Sequence, residues 1–328
     1  LRHRHIQLYS VCSLIKRFFV PLLLMCLLGA CARSPVLGPE ASHLPVRVEL
    51  EDVPFYSQDD YQCGPAALAT VLVQRGVSIT PEALKDQVFL PVRQGSLQVE
   101  LIAAARAQGQ LVYPLEPSLE AVLEEVAAGN PVLVMQNLAF ERWPQWHFAV
   151  IVGFDREQQR LVLRSGTTRQ LHTSFVSFMR TWHRAGRWAV VIVPPERVPA
   201  TAQVLPWLQA ASDLEETGQK DAARHAYRTA TQTWPEEALP WFALGNEAYA
   251  QGDRQAAEQA LLRGIEVQPA FAPGWFNLSE VLAERGCMQA AMQARRCASQ
   301  LAPKDARFAA PLQGEPDSKL CAALPKCP

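Results

Sequence analysis

Tryptophans at 207, 241 and 275 stand 34 residues apart, and four other columns keep the same step. They are Gly218, Gly252 and Gly286; Pro235, Pro269 and Pro303; Ala222, Ala256 and Ala290; and Ala226, Ala260 and Ala294. Small side chains at fixed offsets let paired helices approach closely. A glycine makes the turn between them, and a proline stops the second helix. One such pair cannot bury its own apolar face, so successive pairs must stack. Residues 205–303 are thereby expected to form three helical hairpins.

This register resembles that of tetratricopeptide repeats. The resemblance implies an all-α solenoid, a right-handed stack of six helices whose concave face takes a protein partner. Residues 304–328 follow as a cysteine-containing C-terminal cap, and "PPERVPATAQVLP" ahead of the repeats reads as a linker over 195–204. Upstream, residues 49–194 mix helix and strand signals. "PAALATVLVQRG", "TPEALKDQV", "LQVELIAAARAQG" and "SLEAVLEEVAAG" read as helices, three of them closed by glycine. "PVLVMQN", "HFAVIVGF", "RLVLRSG" and "RWAVVIVPP" read as strands. Helices first and an antiparallel sheet afterwards is an α+β order.

The N-terminal segment has a different character. Arg2, Arg4, Lys16 and Arg17 precede the apolar run "FFVPLLLMCLLGA", too short to span a bilayer comfortably. It ends in "LGAC", which resembles the lipobox of bacterial lipoproteins, with Cys31 the lipidated residue. Residues 1–30 are then a lipoprotein signal peptide and 31–48 a tether. Ala32 after the cysteine implies the outer membrane, with the protein facing the periplasm. Loss of residues 1–30 leaves 27 basic against 32 acidic side chains. No basic tract remains to suggest nucleic acid, and the sequence carries no metal cluster, phosphate loop or cofactor motif.

Cysteine usage suits an exported, oxidising compartment. Cys287, Cys297, Cys321 and Cys327 cluster at the C-terminus, which leaves Cys63 alone in its half of the chain. In "SQDDYQCGPAALATVL" this cysteine sits where an apolar helix begins. Free N–H groups and the positive end of the helix dipole favour a thiolate there, so a depressed pKa is expected. A nucleophile needs a base. Outside the signal, tether and repeats the histidines are His147, His172 and His183, and His147 opens a strand just after "ERWPQW". Trp143 and Trp146 beside it are read either as walls of a narrow subsite or as core.

"QDDYQCGPAAL", followed 84 residues after its cysteine by "HFAVIVGFD", resembles the bacteriocin-processing, double-glycine leader peptidases, a papain-like cysteine peptidase family. It is more similar still to exported relatives that carry tetratricopeptide repeats. The resemblance implies that residues 49–194 form a papain-like domain with Cys63 as nucleophile and His147 as base. Gln58 would serve as oxyanion donor, with Gln62 as its alternative. The family's aspartate on the next strand has no counterpart. Asp155 stands eight residues from His147, roughly 26 Å along a strand at about 3.3 Å per residue. A hairpin folded about residue 157 instead brings Ser165 and Thr167 opposite Ala149 and His147. Ser165 is thus the expected orienter, with Thr167 behind it. The implied function is a membrane-anchored cysteine peptidase of the bacterial envelope acting on a peptide or protein substrate without a cofactor. A weak or inactive peptide-binding lipoprotein is the alternative.

In the last repeat the second helix is expected over 288–301. Cys287 and Cys297 then lie roughly 15 Å apart along its axis at about 1.5 Å per residue, too far for a disulfide. Each must pair with a tail cysteine. Cys297 with Cys321 and Cys287 with Cys327 is the favoured pairing.

Overall fold

A computed structural model of the chain describes residues 37–57, 62–93, 95–310, 312, 321 and 323–328. Cys31 and Gln58 lie outside the described residues. The first half runs through β1 (Arg47–Glu49), α1 (Cys63–Gln74), α2 (Pro81–Val88), α3 (Gln98–Ala107), β2 (Leu111–Pro114) and α4 (Leu119–Ala127). It continues through β3 (Val132–Asn137), β4 (Trp146–Asp155), β5 (Arg160–Ser165), β6 (Thr168–Ser174), α5 (Phe175–His183) and β7 (Ala189–Val193). Three of these helices start on a hydroxyl side chain that accepts an otherwise orphaned amide: Thr80 from Ala83, Ser118 from Ala121 and Ser174 from Ser177.

The described strands form one antiparallel sheet in the order β2-β7-β3-β4-β5-β6, with β1 on β4. Strand β4 is its backbone. β3 pairs with Trp146–Ile151 along one edge, and β1 takes over that edge at Gly153–Asp155. Glycine is required at 153, because a Cβ there would stand 2.6 Å from the Val48 carbonyl oxygen.

Two apolar layers cover the sheet. Phe148, Val150 and Val152 face Leu68, Val71 and Leu72 of α1 together with Leu84 and Leu101. Ala149, Ile151 and Phe154 face α4 and α5 through Val122, Leu123, Phe178 and Trp182. The step from 151 to 154 breaks the two-residue alternation, and it falls where the β4–β5 register shifts between Ile151 and Gly153. A bulge of this kind re-aims every side chain beyond it. Full burial of each leucine of α1 contributes about 1.5–3 kcal/mol, so this helix, and Cys63 at its start, is held firmly against the sheet.

The second half is helical: α6 (Val204–Glu216), α7 (Lys220–Thr233), α8 (Ala238–Ala250), α9 (Arg254–Val267), α10 (Ala272–Glu284), α11 (Met288–Leu301) and the short α12 (Ala306–Ala309). Gly218, Gly252 and Gly286, between the members of each pair, hold φ of 84°, 85° and 78°, a conformation that favours glycine. The equivalent tryptophans differ in use. Trp241 and Trp275 each donate the indole N–H to a proline carbonyl six residues earlier, Pro235 and Pro269. Trp207 donates instead to Ala226, and it is buried in the same core as the sheet.

The first helical pair is therefore part of the sheet domain's core. Trp207, Ala211, Leu214 and Ala226 share one apolar cluster with Leu111, Tyr113 and Val191. Residues 195–204, read as a linker, are stitched down. Glu125 is fully buried and accepts from Asn130 Nδ2, Ala200 N, Thr201 N and Thr201 Oγ1. A buried carboxylate needs such donors to offset its lost hydration. Gln203 N donates to the Tyr113 hydroxyl, and Arg106 of α3 pairs with Asp213 of α6.

Helix α11 spans 288–301 as expected, and each of its cysteines bonds to a tail cysteine. The favoured pairing is corrected: Cys287 joins Cys321 and Cys297 joins Cys327. After Leu301 the chain turns back along the helix, and Arg295 already donates to the Ala310 carbonyl at 2.7 Å. It therefore reaches the Cys287 end first.

Candidate active site

Helix α1 begins at Cys63, with Gln62 as its N-cap. Ala66 N–H donates to the Gln62 carbonyl at 3.2 Å, and Pro65 has no N–H to offer. The free amides of the first turn are thus those of Cys63 and Gly64, and both act on the thiol. Gln62 makes no side-chain capping bond. Glycine at 64 has a steric cause. A Cβ there would fall 2.3 Å from Ser96 Oγ and 2.6 Å from Ser96 Cβ. That hydroxyl is buried without a hydrogen-bond partner, directly over the residue after the nucleophile candidate. Nothing in the sequence marked Ser96.

Cys63 is the free cysteine among the described residues and is half-buried. Burial pushes its thiol up, and the backbone amides of Phe148, Gly64 and Cys63 itself oppose that rise without cancelling it. The depressed pKa expected from the helix terminus is not what the site produces, because desolvation outweighs the dipole. Contact with the Phe148 amide brings the thiol to β4, one residue from His147. Among the described residues no hydrogen bond joins the thiol to the imidazole.

His147 Nε2 lies 2.8 Å from Ser165 Oγ. The expected orienter is in place, and burial lowers the pKa of the ring. With Nε2 engaged by the serine, Nδ1 remains for the thiol. The two nitrogens of a neutral imidazole have distinct roles, and the partner of one sets the role of the other. A carboxylate would oblige Nε2 to donate, leaving Nδ1 a proton acceptor. A hydroxyl can donate or accept, so Ser165 fixes the plane of the ring without fixing its tautomer.

The other candidates separate cleanly. Asp155 sits at the opposite end of β4 from His147, where its Oδ1 accepts from Gln158 N in the turn. Thr167 lies exposed in the turn between β5 and β6, because β5 ends at Ser165. It is not opposite His147, and the second orienter candidate is withdrawn. The hairpin centre near residue 157 holds on the side of the bulge that bears the site, where Val150 pairs with Arg164.

Two supporting residues were not foreseen. Arg164, buried beside Ser165, donates to the carbonyls of Val53, Arg169 and Leu50. It ties β5 to the segment that leads from β1 towards the nucleophile. Asn137, also buried, organises the loop ahead of His147. Its Oδ1 accepts from Ala139 N and Gln145 N, and its Nδ2 donates to the Phe140 carbonyl. A charged residue inside "RLVLRSG" was the available signal for the first.

A small antiparallel sheet with a cysteine at a helix N-terminus and a histidine opening a central strand is a specific arrangement. Residues 50–190 match the Peptidase_C39 like family. No curated protein matches the chain. Among solved structures, a C39-like protein from Bacillus anthracis is 18% identical, with 45% of this chain and 97% of that one covered and a TM-score of 0.39. The peptidase domain of Streptococcus ComA, a bi-functional ABC transporter involved in a quorum-sensing pathway, is 18% identical, covering 43% and 96% at a TM-score of 0.34. MamA is 21% identical over 32% of this chain and 62% of its own, at a TM-score of 0.30.

Proposed function

We propose that this C39-like chain is a thiol-dependent peptidase of the bacterial cell envelope, anchored by lipid on Cys31, with helices α6–α11 acting as tetratricopeptide repeats that recruit a protein. The observation that carries the reading is the His147–Ser165 hydrogen bond of 2.8 Å, made beside a free thiol on the N-terminal residue of a buried helix. It leaves the ring's second nitrogen as the base. The 34-residue register and the left-handed glycines at 218, 252 and 286 support the repeat assignment.

The reaction is acyl transfer. Cys63 Sγ bonds to the substrate carbonyl carbon as its proton passes to His147 Nδ1. The amides of Cys63 and Gly64 take the developing oxyanion, with Gln58 or Gln62 as a side-chain donor. The C–N bond then breaks as the protonated imidazole gives that proton to the leaving amine. Water adds to the thioester, the acid departs, and the thiol regains a proton. Because both resting groups are neutral, the proton transfer accompanies attack. Catalytic hydrogen bonds commonly tighten only once substrate is present.

Hydrolysis of a quenched-fluorescence peptide library tests this directly. It should vanish in Cys63→Ala and fall by about 10³ or more in His147→Ala. A second reading, a domain that binds an extended peptide without cleaving it, draws on the raised thiol and on the serine where the family has its aspartate. Trapping of a thioester on Cys63 by mass spectrometry would eliminate it.

A further inference from the structure

The loop from β3 to β4 carries four large apolar side chains in the open: Leu138 is 44% exposed, Phe140 76%, Trp143 74% and Trp146 51%. They belong to no part of either core, so the reading of Trp143 and Trp146 as core is set aside. The loop is nonetheless built to hold them. Beyond the three Asn137 side-chain bonds, Leu138 N donates to the Gln145 carbonyl and Trp143 N to that of Phe140. Arg184 clamps the Asn137 carbonyl from α5. An ordered backbone that presents a contiguous apolar surface to water marks a surface that something covers.

We propose that this ledge receives the part of the substrate that follows the scissile bond, and that it selects bulky apolar residues there. The inference rests on the peptidase reading above. Trp146 immediately precedes His147, and their partners on β3 are Asn137 and Gln136. In acyl transfer the leaving amine takes its proton from the histidine, so the chain beyond that nitrogen passes the ring. Three extended residues span roughly 10 Å, enough to lie along Trp146 and Trp143. The acyl half of the substrate stays on the Cys63 side. Specificity from the ledge is therefore confined to the leaving group.

A bilayer is the competing occupant, and two observations disfavour it. The loop tip carries one acid and one base, Glu141 and Arg142, without the basic rim that draws a surface to anionic lipid. The N-terminal tether arrives through β1, which pairs with β4 at Gly153–Asp155. That is the opposite end of the strand from Trp146, so an anchor there holds the far edge of the sheet towards the membrane.

The test takes the full chain and a peptide it cleaves, chosen from a degenerate quenched-fluorescence library, then varies the first two leaving-group residues among Gly, Ala, Leu and Phe. The expected result is kcat/KM at least about tenfold higher for Leu or Phe than for Gly. The double variant Trp143→Ala/Trp146→Ala should flatten that ratio to within about twofold, and Trp143→Phe/Trp146→Phe should keep it. The ratio rather than the absolute rate is the readout, so a modest loss of stability does not obscure it. A wild-type protein that cleaves peptides with no leaving-group preference, or a preference that survives the alanine variant, overturns the ledge and leaves the peptidase reading standing. Failure to cleave any peptide overturns both. A blue shift of tryptophan emission on vesicles of phosphatidylethanolamine and phosphatidylglycerol, lost in the alanine variant and accompanied by a flat ratio, assigns the ledge to lipid and overturns it.

Discussion

The His147 ring and the Ser165 hydroxyl meet across adjacent strands, Nε2 to Oγ at 2.8 Å, at a place where a carboxylate would complete a triad. Replacing Ser165 by Asp puts a negative charge against the imidazole, which raises its pKa and favours the thiolate–imidazolium pair. Alkylation of Cys63 by iodoacetamide at pH 7 should quicken by about tenfold, the equivalent of one pKa unit. Ser165→Ala, which frees the ring, should slow peptide hydrolysis. An unchanged rate in both variants would show that the serine has no bearing on the base.

The pH dependence follows from burial. Desolvation raises the Cys63 thiol, so the protein without substrate should be alkylated with an inflection above the ordinary cysteine value of about 8.5. Below it the thiol is neutral and slow. Burial also depresses His147, so the ring stays neutral at pH 7 and takes up its proton only below about 6.5. The folded state then binds that proton less readily than the unfolded chain, and stability contributed by the neutral ring is lost as pH falls through 6.5 and below. Histidine Cε1 resonances followed by NMR, with His147→Gln for assignment, check the direction.

Gly64 and Ser96 form a matched pair. Gly64→Ala forces a Cβ to 2.3 Å from Ser96 Oγ and should destabilise the fold by about 1–3 kcal/mol, the usual penalty for overpacking. Adding Ser96→Gly removes both crowding atoms and should restore most of that loss in urea denaturation. If the double variant is no better than the single one, the strain lies elsewhere in the loop.

Reduction separates the C-terminal staple from the rest. The two crosslinks close loops of 34 and 30 residues, and chain-entropy reasoning gives each roughly 3–4 kcal/mol. Non-reducing peptide maps should contain Cys287 with Cys321 and Cys297 with Cys327. Mixed partners would show that the tail takes another path.

Truncation should be asymmetric. A chain ending at residue 203 loses Trp207, Ala211 and Leu214 from the core they share with Leu111 and Val191, and it should aggregate or melt far lower. A chain ending near residue 236 keeps α6 and α7 and should stay soluble. Equal behaviour of the two would disprove the shared core.

Much of this was readable beforehand because it depends on local chemistry. The turn glycines at 218, 252 and 286 declare their backbone, and Cys63 before Gly-Pro declares a helix start. The hairpin register near 157 was legible as well, since Ser165 and His147 are separated by a short loop. Thr167 failed because a strand's last residue depends on where its neighbour turns, and that is set between strands. The thiol's direction failed for a related reason. A helix terminus is visible in sequence, but the walls that desolvate it come from β4. Ser96 and Glu125 left no trace because each matters through a contact with a distant segment. The tail pairing turned on the path of the chain after Pro303, which spacing alone does not give.

The burial of Trp207 in the sheet's own core has a consequence for how such a chain can change length. A 34-residue unit can be gained or lost between α7 and α11 without disturbing Cys63, because neither end of that stretch touches the nucleophile. The first pair cannot be exchanged for another, since its inner face is cut to fit β2 and β7. Any lengthening therefore moves the disulfide-closed end outward while the cleavage centre stays where it is, and reach varies independently of chemistry.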